Sequence, residues 1–300
     1  MDHADWHDGL LARLCAGRRP PVPSLELEGL LNAVNDDQLS PSELIEGVSE
    51  SPRLRLALLT LANGPVWGRH TPARTVVEAV SQLGRRGCTQ AAWWLALSEL
   101  LDAPTSDSEL APPARARDRL WRHLMLTGWL ARELARSVCQ IPHGDPLLAG
   151  FVHDIGHALL ASPAARLGVV WHEEHEALAD LGDDLAPDRD HGRVGASLLD
   201  LWGAPAELVS AALHHHDPRE VIPYFQPLVA VVRLADLVAE QVDSTTSPAG
   251  WTLRAQPEVE ALVAWAGAPN ATEVEAVCIA SLPEALLQVE RWSALRPLRA

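Results

Sequence analysis

Apolar residues, mostly Leu and Ala, recur along this chain every three or four positions, and no stretch shows sustained period-two alternation with β-branched residues. At 3.6 residues per turn that pattern marks amphipathic helices, so the chain is predicted to be all-α. Ser24 to Val34 reads as one such helix. Ser40-Pro41-Ser42-Glu43 places a capping residue and a first-turn proline, opening a short helix over 41–50. Ser51-Pro52 opens a Leu-rich helix over 52–63, which Asn63-Gly64-Pro65 stops. Further helices are predicted over 75–83, ending at Gly84, and over 87–101.

Residues 102–118 change character. They are rich in Pro, Ser, Asp and Ala without periodicity, and read as a surface connection between two helical lobes, 20–101 and 119–242. The second lobe is predicted to hold helices over 119–135, 146–160, 191–202, 206–216 and 227–241, with an acidic loop at 182–190 whose Asp190 would cap the next helix. Residues 1–19 form an N-terminal extension. A Ser/Thr/Pro/Gly linker at 243–252 begins a C-terminal extension, 243–300, whose part from 256 to 298 carries two or three amphipathic helices and no evident chemistry.

Seven polar residues interrupt the apolar faces of the second lobe: His123, His153, Asp154, His191, His215, His216 and Asp236. Helical phase turns each of them inward, whereas His214 points away. A buried His or Asp is costly unless it is paired or bound to a cation. Imidazole nitrogens suit Fe, Mn, Ni or Zn, and a carboxylate adds charge and can bridge two ions. One or two divalent transition-metal ions are therefore expected, with Asp154 the natural bridge because it has two oxygens. Trp171-His172-Glu173-Glu174-His175 imitates a zinc-protease helix, but its histidines are three apart rather than four, and a solvated acidic face is the better reading.

Composition narrows the function classes. The formal charge is −16, from 40 acidic and 24 basic residues, which argues against general nucleic-acid or anionic-membrane binding. Every basic residue is Arg, so no lysine can act as a base or a phosphate clamp. No apolar run reaches the roughly 18 residues of a membrane span. The start, Met1-Asp2-His3-Ala4-Asp5, lacks the basic and apolar regions of a signal peptide, and a cytoplasmic location is expected. Cys15, Cys88, Cys139 and Cys278 are far apart and read as reduced, buried thiols. Trp93, Trp94, Trp121, Trp129 and Trp202 read as packing residues.

At these residues the chain resembles the HD superfamily, and most closely its HDOD branch. The second lobe carries Trp121-x-His123, Ala149-Gly-Phe-Val-His153-Asp154-Ile155-Gly156, Asp190-His191 followed by Val194-Gly195-Ala196, His215-His216-Asp217-Pro218, and Ala235-Asp236. In the first lobe Ser51-Pro-x-Leu54, Leu58-Leu59-x-Leu61-Ala62-Asn63-Gly64, and Val77, Ala79, Leu83 and Gly84 are similar to the HDOD signature. The resemblance spans roughly residues 20–242 and implies a two-lobed helical HDOD-like fold and a bacterial signal-transduction role. It implies a regulatory module that binds a signalling protein or a small phosphorylated ligand. Related HD proteins hydrolyse nucleotides, and HD-GYP proteins cleave cyclic di-GMP. This chain keeps the His and Asp positions of those enzymes, but after His215-His216 it lacks their Gly-Tyr-Pro continuation. His157 stands where the catalytic relatives favour Lys, and Arg119 where some place a metal-binding Glu. A regulatory module with a retained metal site is therefore expected ahead of a metal-dependent phosphohydrolase or phosphodiesterase. If turnover occurs, Asp154, His157 and Arg119 are the candidates to support it. The oligomeric state is left open by the sequence.

Overall fold

The computed structural model describes residues 10–12, 14–15, 19–36, 38–64, 67, 71–102, 114–161, 191–244, 253 and 256–295. Among them the regular structure is helical, without a strand. The first lobe comprises α1 (Leu25–Asn35), α2 (Pro41–Glu50), α3 (Pro52–Ala62) and α4 (Val76–Asp102). The second comprises α5 (Ala114–Ser137), α6 (Pro146–Val152), α7 (Gly156–Leu160), α8 (His191–Leu201), α9 (Ala206–His214) and α10 (Gln226–Ser244). Two further helices follow, α11 (Val259–Trp265) and α12 (Ala271–Leu295).

The first-lobe helices start and stop for local reasons. Ser40 accepts from the Glu43 amide while Glu43 reaches back to the Ser40 amide, so α2 opens with two satisfied donors. Ser51 caps α3 with a single bond, its hydroxyl oxygen accepting from the Leu54 amide, and Pro52 occupies the first turn. Within α4, Gly84 has φ 62° and ψ −179°, a conformation open essentially to glycine alone, and it kinks the helix where sequence predicts an end. α1, α2 and α3 all pack on α4, while α5 runs through the second lobe against α6, α10 and α12.

Three boundaries differ from the sequence reading. α5 begins at Ala114, so the helix claims the last part of the 102–118 connection; residues 103–113 of that connection lie outside the described set. The predicted helix over 146–160 is two short helices, α6 and α7, joined by a tightened turn at His153–Ile155. There the amides of Ile155, His157 and Ala158 bond three residues back, to Val152, Asp154 and Ile155, in 3₁₀ fashion. α10 runs to Ser244, into the predicted linker. The acidic loop at 182–190, including Asp190, and the 171–175 segment lie outside the described residues.

The five tryptophans read as packing residues are buried, as are the four cysteines, which carry free thiols. Trp93 of α4 stacks on Trp202 beyond α8, and Trp94 meets Trp121 of α5 edge-on, so aromatic contacts join the lobes. Trp292 of α12 packs against Trp67, Trp129 and Phe151, seating the C-terminal extension on both lobes.

Glycines set the closest helix approaches. A Cβ on Gly150 would lie 2.4 Å from the Gly128 Cα, and one on Gly156 would lie 2.0 Å from the His191 carbonyl oxygen. α5 therefore meets α6, and α7 meets α8, at backbone contact. Because backbone rather than a side chain occupies the space, Gly150→Ala should cost about 3 kcal/mol, the upper end of ordinary overpacking. A urea midpoint lowered at unchanged m would report it. A loss below about 1 kcal/mol would show slack at this crossing.

Candidate metal centre

The seven candidate donors come from five places along the chain, and each is set by its own local structure. His123 lies on the buried side of α5. His153 and Asp154 occupy the tightened turn after α6, a helix whose N-terminus is fixed by Pro146 and by Asp145, whose Oδ1 accepts from the amides of Leu147 and Leu148. His191 is the first residue of α8. His215 follows the end of α9, with His216 beside it. Asp236 lies on α10.

Two groups of donors form, and they share one residue. His123, His153, Asp154 and Asp236 make one; Asp154, His191, His215 and His216 make the other. Asp154 Oδ2 is 3.4 Å from His123 Nε2 and 3.6 Å from His153 Nε2. Its Oδ1 is 3.3 Å from His191 Nε2 and 3.1 Å from His215 Nε2. Asp236 Oδ1 is 3.1 Å from His123 Nε2 and 3.5 Å from His153 Nε2. The histidines also crowd one another, His123–His153 at 3.3 Å, His191–His215 at 3.2 Å and His191–His216 at 2.8 Å between Nε2 atoms.

These spacings fit a cation. Ligands about 2.0–2.2 Å from one ion, at tetrahedral or octahedral angles, stand about 2.8–3.6 Å apart. Two of the imidazoles have their tautomer set. His153 Nδ1 donates to the Gly150 carbonyl at 2.9 Å, and His215 Nδ1 donates to the Ala212 carbonyl at 2.9 Å. With the proton on Nδ1, each Nε2 presents a lone pair to the cluster, which is how ligating histidines are usually oriented. Asp154 Oδ1 and Asp236 Oδ1 are buried and accept no hydrogen bond. Buried carboxylate oxygens and imidazole lone pairs turned toward one another lack a counter-ion, and a divalent ion supplies one.

The electrostatics follow the same arrangement. Burial would raise the Asp154 pKa, but the imidazoles of His153, His191 and His123 outweigh it and hold the carboxyl well below the usual range. Burial likewise opposes ionisation of Asp236, and the imidazoles of His123 and His153 together with the Arg233 charge overcome it. Burial lowers the His215 pKa, and burial with the neighbouring His215 and His191 lowers that of His216 to about 2.

His157 lies outside both donor groups. It is buried, stacks on His191 with ring centroids 4.2 Å apart, and is 3.8 Å from Asp154 Oδ2. Burial, reinforced by His191, pushes its pKa well down, so it offers a neutral imidazole rather than a positive charge. Arg119 is half-buried one turn before His123. His214 turns from the cluster toward Glu220, 3.8 Å away.

Arg233 was not singled out from the sequence. It sits three residues before Asp236, and its Nη1 donates to Asp236 Oδ2 at 2.7 Å, leaving Oδ1 for the histidines. Arg233 also meets Glu240, at 3.3 Å, and Glu258 before α11, at 3.0 Å. The C-terminal extension thus reaches the centre through one guanidinium. Burial and the Asp236 charge raise Glu240 to about 7. The available signal was an arginine one turn from an aspartate on an otherwise apolar helix.

An all-α, two-lobed fold with a His/Asp cluster around a His-Asp dipeptide defines a protein of the HD type. More narrowly, the chain belongs to the HDOD domain family, whose model matches residues 20–218. α10, with Arg233 and Asp236, lies beyond the matched stretch. An uncharacterised protein of Treponema pallidum (strain Nichols) is 24% identical over 231 residues, which cover 76% of this chain and 43% of that protein. The chain thus spans less than half the length of that relative. An HDOD domain protein of unknown function from Geobacter sulfurreducens superposes with a TM-score of 0.66 at 20% identity, covering 98% of each chain. A provisionally named metal-dependent phosphohydrolase from Shewanella amazonensis SB2B gives 0.62 at 18% identity, covering 97% of this chain and 98% of that one. A provisionally named signal transduction protein from Marinobacter aquaeolei VT8 gives 0.60 at 19% identity, covering 99% of this chain and 66% of that one. At such identities these likenesses establish the fold.

The cluster sets a pH dependence. His157, His215 and His216 bind protons less readily folded than unfolded, where histidine titrates near about 6.5. Their contribution is fully present above about 6.5 and is lost as pH falls below it, because the unfolded chain then binds more protons. The chelator-treated protein should lose stability between pH 7 and 5, by at most about 1.4 kcal/mol per pH unit for each such histidine. Asp154 and Asp236, also lowered, act in the same direction below about pH 4. Urea unfolding across this range would measure it, and a flat profile from 7 to 5 would contradict the buried neutral histidines.

Proposed function

We propose that this chain is a bacterial signal-transduction HDOD module organised around a dinuclear centre of Fe, Mn, Ni or Zn, and that it acts by binding a partner protein or a small ligand. The observation that carries this reading is the sharing of Asp154 between two donor groups, one oxygen turned to each. His123, His153 and Asp236 would hold one ion, and His191, His215 and His216 the other. The mixture of imidazole nitrogen and carboxylate oxygen suits those borderline metals better than Mg or Ca. Family membership and the absence of a Gly-Tyr-Pro continuation in the sequence favour a regulatory output over turnover.

A second reading, a metal-dependent phosphohydrolase acting on a nucleotide or cyclic nucleotide, is favoured by the completeness of the donor set. His216 is half-buried while the other donors are buried, so the second group faces outward. When bound, divalent ions there would supply Lewis-acid activation of a phosphoryl group and of water. Around them this chain offers neutral His157 and no lysine, so it brings little positive charge of its own to a phosphate.

Metal analysis of protein purified without a histidine tag and loaded with one of these metals should find two equivalents. An ion at 100 times its Kd stabilises the fold by about 2.7 kcal/mol, so a chelator should lower the melting temperature and re-added metal should restore it. Asp154→Ala should abolish that response with helix content largely kept. Absence of metal after exposure to all four ions would overturn the proposal. Metal-dependent cleavage across a phosphodiester panel, lost in Asp154→Ala, would move the assignment to the second reading.

A further inference from the structure

Two glycines of the first lobe have no role inside it. Gly29 lies in the middle of α1 and Gly47 in the last part of α2. Glycine is a poorer helix former than every residue but proline. Gly84 is required by its positive φ, and Gly128, Gly150 and Gly156 by backbone contact. Gly29 and Gly47 meet neither requirement: both have ordinary φ, and a Cβ on either would find nothing within 4 Å.

Both glycines line the same groove. It lies between α1, α2 and the start of α3, has a volume of about 340 Å³, and is floored by Leu30, Leu44, Val48 and Leu54. Leu25 stands at its edge with 86% of its surface exposed. The absent side chains keep the trough open and let another backbone come close, which is where glycine is used on a helix surface. An apolar trough edged by an exposed leucine is the kind of surface that receives an amphipathic helix.

The walls select the charge of that helix. α1 carries Glu26 and Glu28, α2 carries Glu43, Glu46 and Glu50, and neither helix contains Lys, Arg or His. Glu26 and Glu50 line the groove itself, and no basic residue does. Arg53, at the start of α3, is turned to Ser24 and Glu99 instead.

We propose that the groove between α1 and α2 is the docking site for an amphipathic helix of a partner protein, apolar on the face it buries and flanked by Lys or Arg. The site is separate from the metal centre and specifies the partner that the signalling reading requires, so it rests on that reading.

The test is selection from a displayed library of helical 16-residue peptides. Wild-type protein should enrich sequences with apolar residues at helical spacing flanked by Lys or Arg. Gly29→Leu and Gly47→Leu, which fill the trough, should reduce binding of the selected peptides at least 10-fold. The same variants should melt at or above the wild-type temperature, since leucine is the better helix former, and should bind metal as wild type does. Acidic or unpatterned winners, no enrichment, or binding indifferent to both substitutions would overturn the proposal. A dimer dissociated by Gly47→Leu would reassign the groove to a second copy of this chain. Loss of metal binding in wild type would sink the proposed centre while leaving the peptide result to judge the groove.

Discussion

Asp154 is a buried carboxylate with imidazoles on both sides, and its position constrains most of the second lobe. Ionised and out of water, it is tolerable only while compensating charge or donors surround it. His123 arrives on α5, His153 from the same turn, His191 on α8 and His215 after α9. Four pieces of chain must therefore meet within a few ångströms of one side chain. They do so because glycine removes the side chains that would hold them apart. Gly128 and Gly150 let α5 and α6 touch, and Gly156 lets α7 lie against the start of α8. The polar centre and the close helix crossings belong to one arrangement.

The surrounding residues fix the donors rather than add to them. The carbonyls of Gly150 and Ala212 set the tautomers of His153 and His215, and Arg233 takes one oxygen of Asp236 so that the other faces the histidines. Arg233 is largely buried and holds its charge because Asp236, Glu240 and Glu258 outweigh the cost of burial. Glu258 lies in the C-terminal extension, beyond the residues matched to the family. Through Glu258 that extension completes the charge balance around a candidate ligand.

Helical periodicity made the element order and the inward histidines legible in the sequence, because both depend on spacing along one helix. Grouping the donors by residue type and phase found all seven residues of the two clusters. What spacing could not show was anything decided between helices. The turn at His153–Ile155 keeps α-like dihedrals and alters only its hydrogen bonding, so it is invisible to hydrophobic pattern. The early start of α5 at Ala114 lies in a polar, Arg-rich stretch whose helicity owes nothing to an apolar stripe. Arg233 reads as an ordinary charged interruption until Glu258, 25 residues away, is seen beside it. The glycines look alike in sequence, and only the packing separates those that are compressed from those that face open space.

The two lobes are referred to each other through one turn of α4. Immediately after the Gly84 kink, Arg85 and Arg86 reach in opposite directions. Arg85 donates to the carbonyls of Val34, Asp36 and Leu39, closing the end of α1 and the approach to α2. Arg86 donates to Asp145 Oδ2 at 2.7 Å, Gln90 donates to the same oxygen at 2.8 Å, and Gln90 in turn accepts from Trp67. Asp145 uses its other oxygen to cap α6, the helix that ends at His153–Asp154. A carboxylate accepting from a guanidinium, an amide side chain and two backbone amides has little freedom to move. The walls of the first-lobe groove and the turn that carries the shared aspartate are thus both indexed to the same few residues.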